Sequence, residues 1–488
     1  MSNVLLENIL RNQLKEINRI QHKGNEYLFS EENIQSAIQK LKSIRYDGLQ
    51  KTNEAVYDLI TLGTAMEQTI EGDSKSFNLN YIDWHNPARN TFHVTAEYSV
   101  ERSRSTETAR PDIVLFVNGI PFCVIECKSP QTEIDQAVSQ SIRNQSDEYI
   151  PKLFVYTQSL LAVNKNSAKY ATTGTAAKFW SVWKEIDTGQ QSAGIVQLSE
   201  LKQAPMPDEL REKISQTFHC KMPEAHGQLV TAQDEALYAL CRPERLLELA
   251  WKFTVFDGGF RKIARYQQYF VIKSTLHRVK QSDQAGARRG GIIWHTQGSG
   301  KSLTMVMLAR NLALDPEIQN PRIVLVTDRD DLDRQLGNTF AACGLEANRA
   351  TSGRNLLELV AEKRSGIVTT LIHKFDKAYA LNKYRDDSSD IFILVDESHR
   401  TAFGSFAARM RQMFPNACYL GFTGTPLLKK EKNNFNRFGK LVEPHYSIAQ
   451  AVEDGAVVPL LYEGRYVEMT QNKAAVDLWF ERHTQGLT

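Results

Sequence analysis

His295-Thr296-Gln297-Gly298-Ser299-Gly300-Lys301-Ser302 stands between a short apolar run at 291–294 and a helical pattern that the spacing starts at Ser302. In that setting glycines let backbone N–H groups wrap a row of phosphates at the positive end of a helix, a lysine reaches the outer phosphates, and a serine hydroxyl can hold Mg²⁺. The stretch reads as a P-loop, with Thr296, Gln297, Gly298, Ser299, Gly300, Lys301 and Ser302 as its nucleotide-holding residues. His295 occupies the place of the usual first glycine, and the rest of the pattern is intact. Further short apolar runs at 323–326, 367–370, 391–395 and 417–422 alternate with helical patterns, which predicts an α/β fold with a parallel sheet covered by helices on both faces. The run at 391–395 delivers Asp396 and Glu397 to its C-terminal edge, where such sheets bind ligands. Asp396 is expected to hold Mg²⁺ through water and Glu397 to polarise an attacking water. A strand ending in Asp-Glu would by itself read as a solvated turn, and it is the P-loop that gives the pair a role.

The chain has 488 residues, 42% hydrophobic and 24% charged, enough for a substantial core and, at ordinary domain sizes, about three domains. Disorder is excluded as the main state. No run approaches the roughly 18 apolar residues that span a bilayer. The N-terminus, with Glu7 inside its first apolar helical stretch, lacks a secretory pattern, so a cytoplasmic location is expected. Six cysteines without a CxxC pair argue against a disulfide scaffold and against structural zinc. A net charge of +2, from 59 Lys and Arg against 57 Asp and Glu, leaves nucleic acid open, since a balanced total can hide a basic groove.

Residues 1–80 read as helical, with Leu6, Ile9, Leu10, Leu14 and Ile17, and then Ile34, Ile38 and Leu41, at three- and four-residue spacing. The period then changes: 91–95 alternates, 113–117 and 122–127 are short apolar runs, and Asn118-Gly119 between them marks a hairpin turn. The hairpin opens on Arg110-Pro111-Asp112 and closes on Glu126-Cys127-Lys128. Alternation puts Glu126 and Lys128 on one face with Cys127 turned away, and folding brings Asp112 to them. Two carboxylates can hold Mg²⁺, while an ammonium beside them can orient water or stabilise charge building on phosphate. This is the PD…ExK constellation. A hairpin with surface charges is the plain alternative, but apolar strands of this kind should be internal, where unpaired charge is costly. Gln145 and Tyr149 fall on the helix predicted next, at i and i+4 on one face. The candidate catalytic set is therefore Asp112, Glu126, Lys128, Gln145 and Tyr149, with Asp112 and Glu126 as metal holders.

Residues 260–427 resemble the first RecA-like domain of superfamily 2 helicases and translocases, and Asp396-Glu397-Ser398-His399 looks like a variant of their DEAD/DEAH box. The resemblance implies that Thr423-Gly424-Thr425-Pro426 couples hydrolysis to DNA movement and that Gln268 reads adenine, with Gln267 an adjacent competitor. It also places Thr327, Arg329, Thr370 and Lys374 where that family contacts the DNA backbone, although each equally suits ordinary loop chemistry. Gln145 and Tyr149 resemble the QxxxY element of RecB-like nucleases. The stretches at 110–119, 126–130, 294–302, 395–401 and 421–426 together are similar to the restriction (motor) subunit of type I restriction-modification enzymes, over essentially the whole chain. That family often has an apolar residue where Cys127 stands, and it tends to use an acid from the first helix, for which Glu7 is the candidate.

What this implies is a type I site-specific deoxyribonuclease subunit that uses ATP and Mg²⁺ to pull double-stranded DNA past a bound complex and cut both strands. Its partners would be a methyltransferase (modification) subunit and a specificity subunit, to which S-adenosylmethionine would belong. The expected layout is a PD-(D/E)xK, RecB-like nuclease domain at 1–255 with a polar connecting stretch at 187–235. A RecA-like superfamily 2 ATPase domain follows at 256–460, and 461–488 begins a link to a second such domain. The 62 residues from 427 to 488 are too few for that second domain, which would supply arginines to the transition state, so slow ATP turnover is expected of this chain. Two other readings remain: a repair-type helicase–nuclease, and a DNA-binding assembly module that uses ATP only as a switch.

Overall fold

The computed structural model describes residues 4–186, 193–219, 229–284, 286–362, 364, 366–396, 403–425, 438–459, 463 and 472–484. Among them, three N-terminal helices, Glu7–Ile17, Glu31–Lys42 and Leu49–Leu62, bury the expected stripes, Leu10, Leu14 and Ile17 from the first and Ile34, Ile38 and Leu41 from the second. Residues 1–80 are not helical throughout: Ile20–His22 pairs with Asn25–Tyr27 and Thr64–Ile70 with Asp73–Leu79 as antiparallel hairpins. The helices pack with a five-stranded sheet of β1 (Phe92–Ala96), β2 (Ile113–Val117), β3 (Ile120–Cys127), β4 (Ser159–Asn164) and β5 (Ser167–Ala171), in the order β5-β4-β3-β2-β1. The pair β3–β4 is parallel and its neighbours are antiparallel. Asn118 and Gly119, at φ 51° and 81°, make the two-residue turn between β2 and β3. Asn118 is fully buried, and its side chain accepts from Thr91 N at 2.8 Å and donates to Tyr81 O at 3.0 Å.

The second sheet joins β6 (Gly291–Trp294), β7 (Arg322–Thr327), β8 (Ala347–Arg349), β9 (Gly366–Leu371), β10 (Ile391–Val395) and β11 (Cys418–Thr423) in the order β6-β11-β10-β7-β9-β8, every pair parallel. Alternate side chains go to opposite faces. Ile323, Leu325, Phe392 and Leu394 share one core with helices Tyr266–Val279, Lys301–Leu314 and Asp330–Ala342. Val324, Val326, Ile391, Ile393 and Val395 share the other with Gly353–Ala361, Lys374–Asn382 and Phe403–Met413. The expected α/β fold, a parallel sheet with helices on both faces, is what forms. Strand β8 was not expected, because three residues with one apolar side chain carry no readable period.

The first of these cores is continuous with the N-terminal one, running from Phe122 and Val124 of β3 to Leu325 of β7, so packing does not break near residue 255. A short hairpin, Thr254–Asp257 with Phe260–Ile263, bridges the two parts. Its buried Arg261 donates to Asn53 Oδ1 at 3.0 Å and to Gln158 Oε1. Among its described residues, the polar stretch expected to be connecting contains the helices Ala193–Gln203 and Asp208–Phe218 and the start of Ala232–Cys241. No helix among the described residues is long and apolar enough to cross a membrane.

Gly119 carries a clear prediction. A Cβ there would lie 2.6 Å from the Leu6 carbonyl oxygen, and the backbone is left-handed. Leu6 N also donates to Gly119 O at 2.9 Å, so the turn anchors the first helix. Gly119→Ala should cost on the order of 2 kcal/mol or more in urea unfolding. A loss within about 0.5 kcal/mol, the range of an ordinary surface change, would contradict that anchoring.

Candidate functional site

The open end of the β2–β3 hairpin gathers the acidic site. Asp112 immediately precedes β2, and its Oδ2 accepts from Cys127 N at 2.7 Å. Glu126, next to last in β3, has no exposed surface. Its Oε2 accepts from Gln140 Nε2 at 2.6 Å and its Oε1 from Asn144 Nδ2 at 2.9 Å. Gln140 turns its other end to Lys128, whose Nζ donates to Gln140 Oε1 at 2.6 Å and to Cys127 O at 3.2 Å. One amide thus fixes both the buried acid and the lysine. Burial first, then the neighbouring Asp112, pushes the Glu126 carboxyl up to about 8. Two adjoining carboxylates that resist sharing negative charge fit a divalent cation. Among the described residues no three His, Cys, Asp or Glu side chains form a metal cage. A two-carboxylate site completed by water and substrate oxygen is the pattern Mg²⁺ favours.

Gln145 and Tyr149 are not placed as expected. The helix Ile134–Asn144 ends one residue before Gln145, which is its C-cap. Gln145 binds Ser141 O at 3.0 Å and Gly174 N at 2.8 Å, while Tyr149 lies beyond the helix under the guanidinium groups of Arg102 and Arg143. The side chains that reach Glu126 are Gln140 and Asn144, themselves an i, i+4 pair one turn earlier. That spacing was readable in the sequence. Glu7 pairs with Lys42 beside the turn end of the hairpin, about 15 Å of strand from Asp112.

In the second sheet the phosphate loop follows β6, and Gly298 and Gly300 take φ +84° and +93°, conformations that suit glycine. A Cβ on Gly300 would stand 2.9 Å from Gln268 Nε2. Lys301 opens the helix rather than Ser302, and its Nζ lies 2.7 Å from Asp396 Oδ1. Asp396 follows β10, with its N donating to Val326 O at 2.9 Å. Strand β11 runs between β6 and β10, so Thr423 ends it beside the loop: Thr423 O accepts from His295 N at 3.1 Å. A Cβ on Gly424 would stand 3.2 Å from Gln297 N, and Thr425 N donates to Thr423 Oγ1 at 3.2 Å. Thr296 gives both its N and its Oγ1 to Tyr446 O, and Ser299 Oγ donates to Thr296 O at 2.6 Å. Ser302 lies in the first helical turn. Glu397, Ser398, His399 and Pro426 lie outside the described residues.

Gln268 spends its amide on the protein: Oε1 accepts from Arg265 N at 2.9 Å and Nε2 donates to Gly300 O at 3.1 Å. Gln267 is equally buried, and both ends of its amide lack a protein partner. Of the four expected DNA contacts, only Arg329 is exposed. Thr327 and Thr370 have no exposed surface, and Lys374 points its Nζ into the fold at Ala350 O, where burial lowers its pKa. Thr327 and Thr370 are buried at strand ends, Arg329 caps one helix and Lys374 opens another, so the structure does not bring the four together as a surface.

A parallel sheet with a glycine cradle, a lysine and an acid at its carboxyl edge defines a P-loop α/β protein, here joined to a hairpin bearing two acids and a lysine. Residues 267–488 match the SWI2/SNF2 ATPase family, and residues 1–179 match the family described as type I restriction enzyme R protein N terminus. A putative type I restriction enzyme endonuclease subunit of Methanocaldococcus jannaschii is 31% identical over 434 residues, 87% of this chain and 40% of that protein. The type I restriction enzyme HindI endonuclease subunit of Haemophilus influenzae is 31% identical over 444 residues, 84% of this chain and 38% of that one. A solved nuclease-deletion mutant of a type ISP restriction-modification enzyme aligns at TM-score 0.32 and 16% identity over 46% of this chain and 23% of that one, too slight a likeness to carry an argument. The chain is similar to type I restriction enzyme endonuclease subunits over most of its own length, and it spans about two fifths of the length of these curated relatives.

His295 yields a pH prediction. Fully buried, with Nδ1 3.4 Å from Thr304 Oγ1, it is held down to about 4, first by burial and also by the nearby Lys301 charge. Its folded pKa lies below the unfolded value of about 6.5, so its share of stability is full above that pH and is lost as pH falls through about 4. His295→Gln should therefore flatten the fall in Tm between those two pH values relative to the natural chain. Parallel Tm curves for both proteins would contradict a neutral buried imidazole.

Proposed function

We propose that this chain carries the DNA-cutting site and the first half of the ATP-driven motor of a type I restriction endonuclease. The observation that carries the proposal is Glu126, wholly buried beside Asp112 and fixed to Lys128 through Gln140. A fold has little reason to bury a carboxyl against another unless something charged is to join them. Asp112 and Glu126 would hold Mg²⁺, which when bound polarises the phosphate and lowers the pKa of water. Lys128, anchored by Gln140, keeps a positive charge beside the phosphate as charge builds there. Asn144 holds Glu126 in one rotamer, which adds Gln140 and Asn144 to the set read from sequence.

In the motor, Lys301 would exchange its Asp396 partner for the outer phosphates of ATP, and Asp396 would then be released toward Mg²⁺ along with Ser302. Glu397 is assigned to the attacking water. Adenine is assigned to Gln267, because its amide is unpartnered where that of Gln268 is committed to Gly300. Thr423 and Gly424 lie against the phosphate loop and Thr425 is bonded to Thr423, which supports a coupling role. The nuclease part is placed at 1–255, the motor part at 256–460, and the start of a link at 461–488. The substrate would be double-stranded DNA, reached in a complex with modification and specificity subunits that bring S-adenosylmethionine. The names of the relatives favour this over a repair helicase or an ATP-switched assembly module.

Two variants test the separation of sites in the assembled enzyme. Asp112→Ala or Lys128→Ala should lower DNA cleavage by a factor on the order of 10²–10³ or more while ATP hydrolysis stays near the natural rate. Lys301→Ala should remove ATP hydrolysis, and cleavage with it, because it deletes a charge-assisted phosphate contact. Equal loss of ATP hydrolysis in the Asp112 variant, or cleavage persisting at full rate with Lys301→Ala, would refute the assignment.

A further inference from the structure

One carboxylate ties three separate parts of the chain together. Tyr266 Oη and Tyr446 Oη both donate to Asp454 Oδ2, the latter at 2.9 Å, and Lys184 Nζ lies 2.7 Å from Asp454 Oδ1. Tyr266 is the first residue of the helix that carries Gln267 and Gln268. Tyr446 lies alongside β6: its N donates to Trp294 O at 2.9 Å, its carbonyl takes both donors of Thr296 at 3.0 and 2.9 Å, and its ring meets that of His295 at 6.1 Å. Three residues past Asp454, Val457 Cγ1 stands 3.5 Å from where a Cβ of Gly298 would be. The base-side helix and the phosphate loop therefore meet at the same acid.

The third partner comes from the other part of the chain. Lys184 follows β5 by thirteen residues, and its neighbour Trp183 packs on Tyr269 and Phe270 with ring centroids 5.5 and 5.9 Å apart. Glu185 pairs with Arg245 at 3.0 Å, and the Arg245 guanidinium lies over the Trp183 and Tyr269 rings. The Lys184 side chain, 40% exposed, also reaches Glu453 at 2.9 Å. Burial opposes charge on Asp454, whose side chain is 13% exposed, but the bonds from Lys184, Tyr266 and Tyr446 outweigh it and hold the carboxyl below its usual range.

We infer that Asp454 is a positioning residue of the nucleotide site, and that through Lys184 it links nucleotide binding to the segment joining the nuclease and motor parts. Remove the acid and two tyrosines lose the acceptor that aligns them. Tyr446, whose carbonyl holds Thr296, is then free to shift the phosphate loop. Remove the lysine and a partly buried carboxylate is left under-neutralised at the same point. By linkage, nucleotide binding should in turn order the segment at 181–186. The inference rests on the reading of this site as one for ATP.

The test is titration of this chain with a fluorescent ATP analogue and Mg²⁺, beside hydrogen exchange at 181–186 with and without the analogue. Asp454→Asn should weaken binding about tenfold, and Lys184→Met roughly threefold, as expected for a buried charged acceptor and a half-exposed pair. The double variant should be no weaker than Asp454→Asn alone, because both changes break one interaction. The analogue should protect 181–186 from exchange in the natural chain and fail to do so in Asp454→Asn. Tyr446→Phe, which keeps the fold's ring packing, should weaken binding in the same direction as Asp454→Asn. Natural-level affinity in Lys184→Met, or additive losses in the double variant, would overturn the inference while Lys301→Ala still abolishes binding. Should Lys301→Ala bind as tightly as the natural chain, the ATP reading itself falls and this inference with it.

Discussion

Strands Ile120–Cys127 and Ile391–Val395 are buried along nearly their whole length, so neither can take a charge before its C-terminal end. The first ionisable side chain at the end of each, Glu126 and Asp396, is the one around which a site has formed. The two are neutralised differently. Glu126 has two amide donors and a raised pKa, and Lys128 is tied to it by a hydrogen bond through Gln140. Asp396 has the ammonium of Lys301 at 2.7 Å. The first arrangement would be completed by an added cation. The second is a contact that phosphate can displace.

Features set by local chain chemistry could be read in the sequence. Asn118-Gly119 specifies a two-residue turn whatever surrounds it, and the turn together with a register shift between Leu115 and Phe116 brings Asp112 level with Glu126. The glycines of the phosphate loop need their backbone conformation, so their spacing survives in any context. Features decided by packing could not be read. Helical periodicity runs on past Asn144, but the chain turns at Ser146 and leaves Tyr149 off the helix, so Gln140 and Asn144 take the inner face. Thr327 and Thr370 sit at strand ends and Lys374 at a helix start, where a sequence motif and a buried packing position look alike. Gln267 and Gln268 are adjacent, and it is the bonds of the Gln268 amide to Arg265 and Gly300 that distinguish them.

The continuous core across residue 255 bears on how the parts work together. A flexible linker would let the hairpin site and the phosphate loop act as strangers. Here Trp183, Arg245, Tyr269 and Phe270 form one cluster across the join, and Arg310 donates to Tyr57 Oη at 2.8 Å from the side of the parallel sheet. Rigid packing of this kind transmits small shifts, because a close-packed interior has no slack in which to absorb them.

The central claim is that Asp112 and Glu126 share one divalent cation, and anomalous scattering tests it most directly. Crystals of this chain grown with Mn²⁺ and without nucleotide should show a manganese peak between the two carboxylates, about 2.1 Å from an oxygen of each, and Glu126→Gln should weaken or remove it. Manganese found elsewhere in the molecule, with no peak between Asp112 and Glu126, would contradict the account.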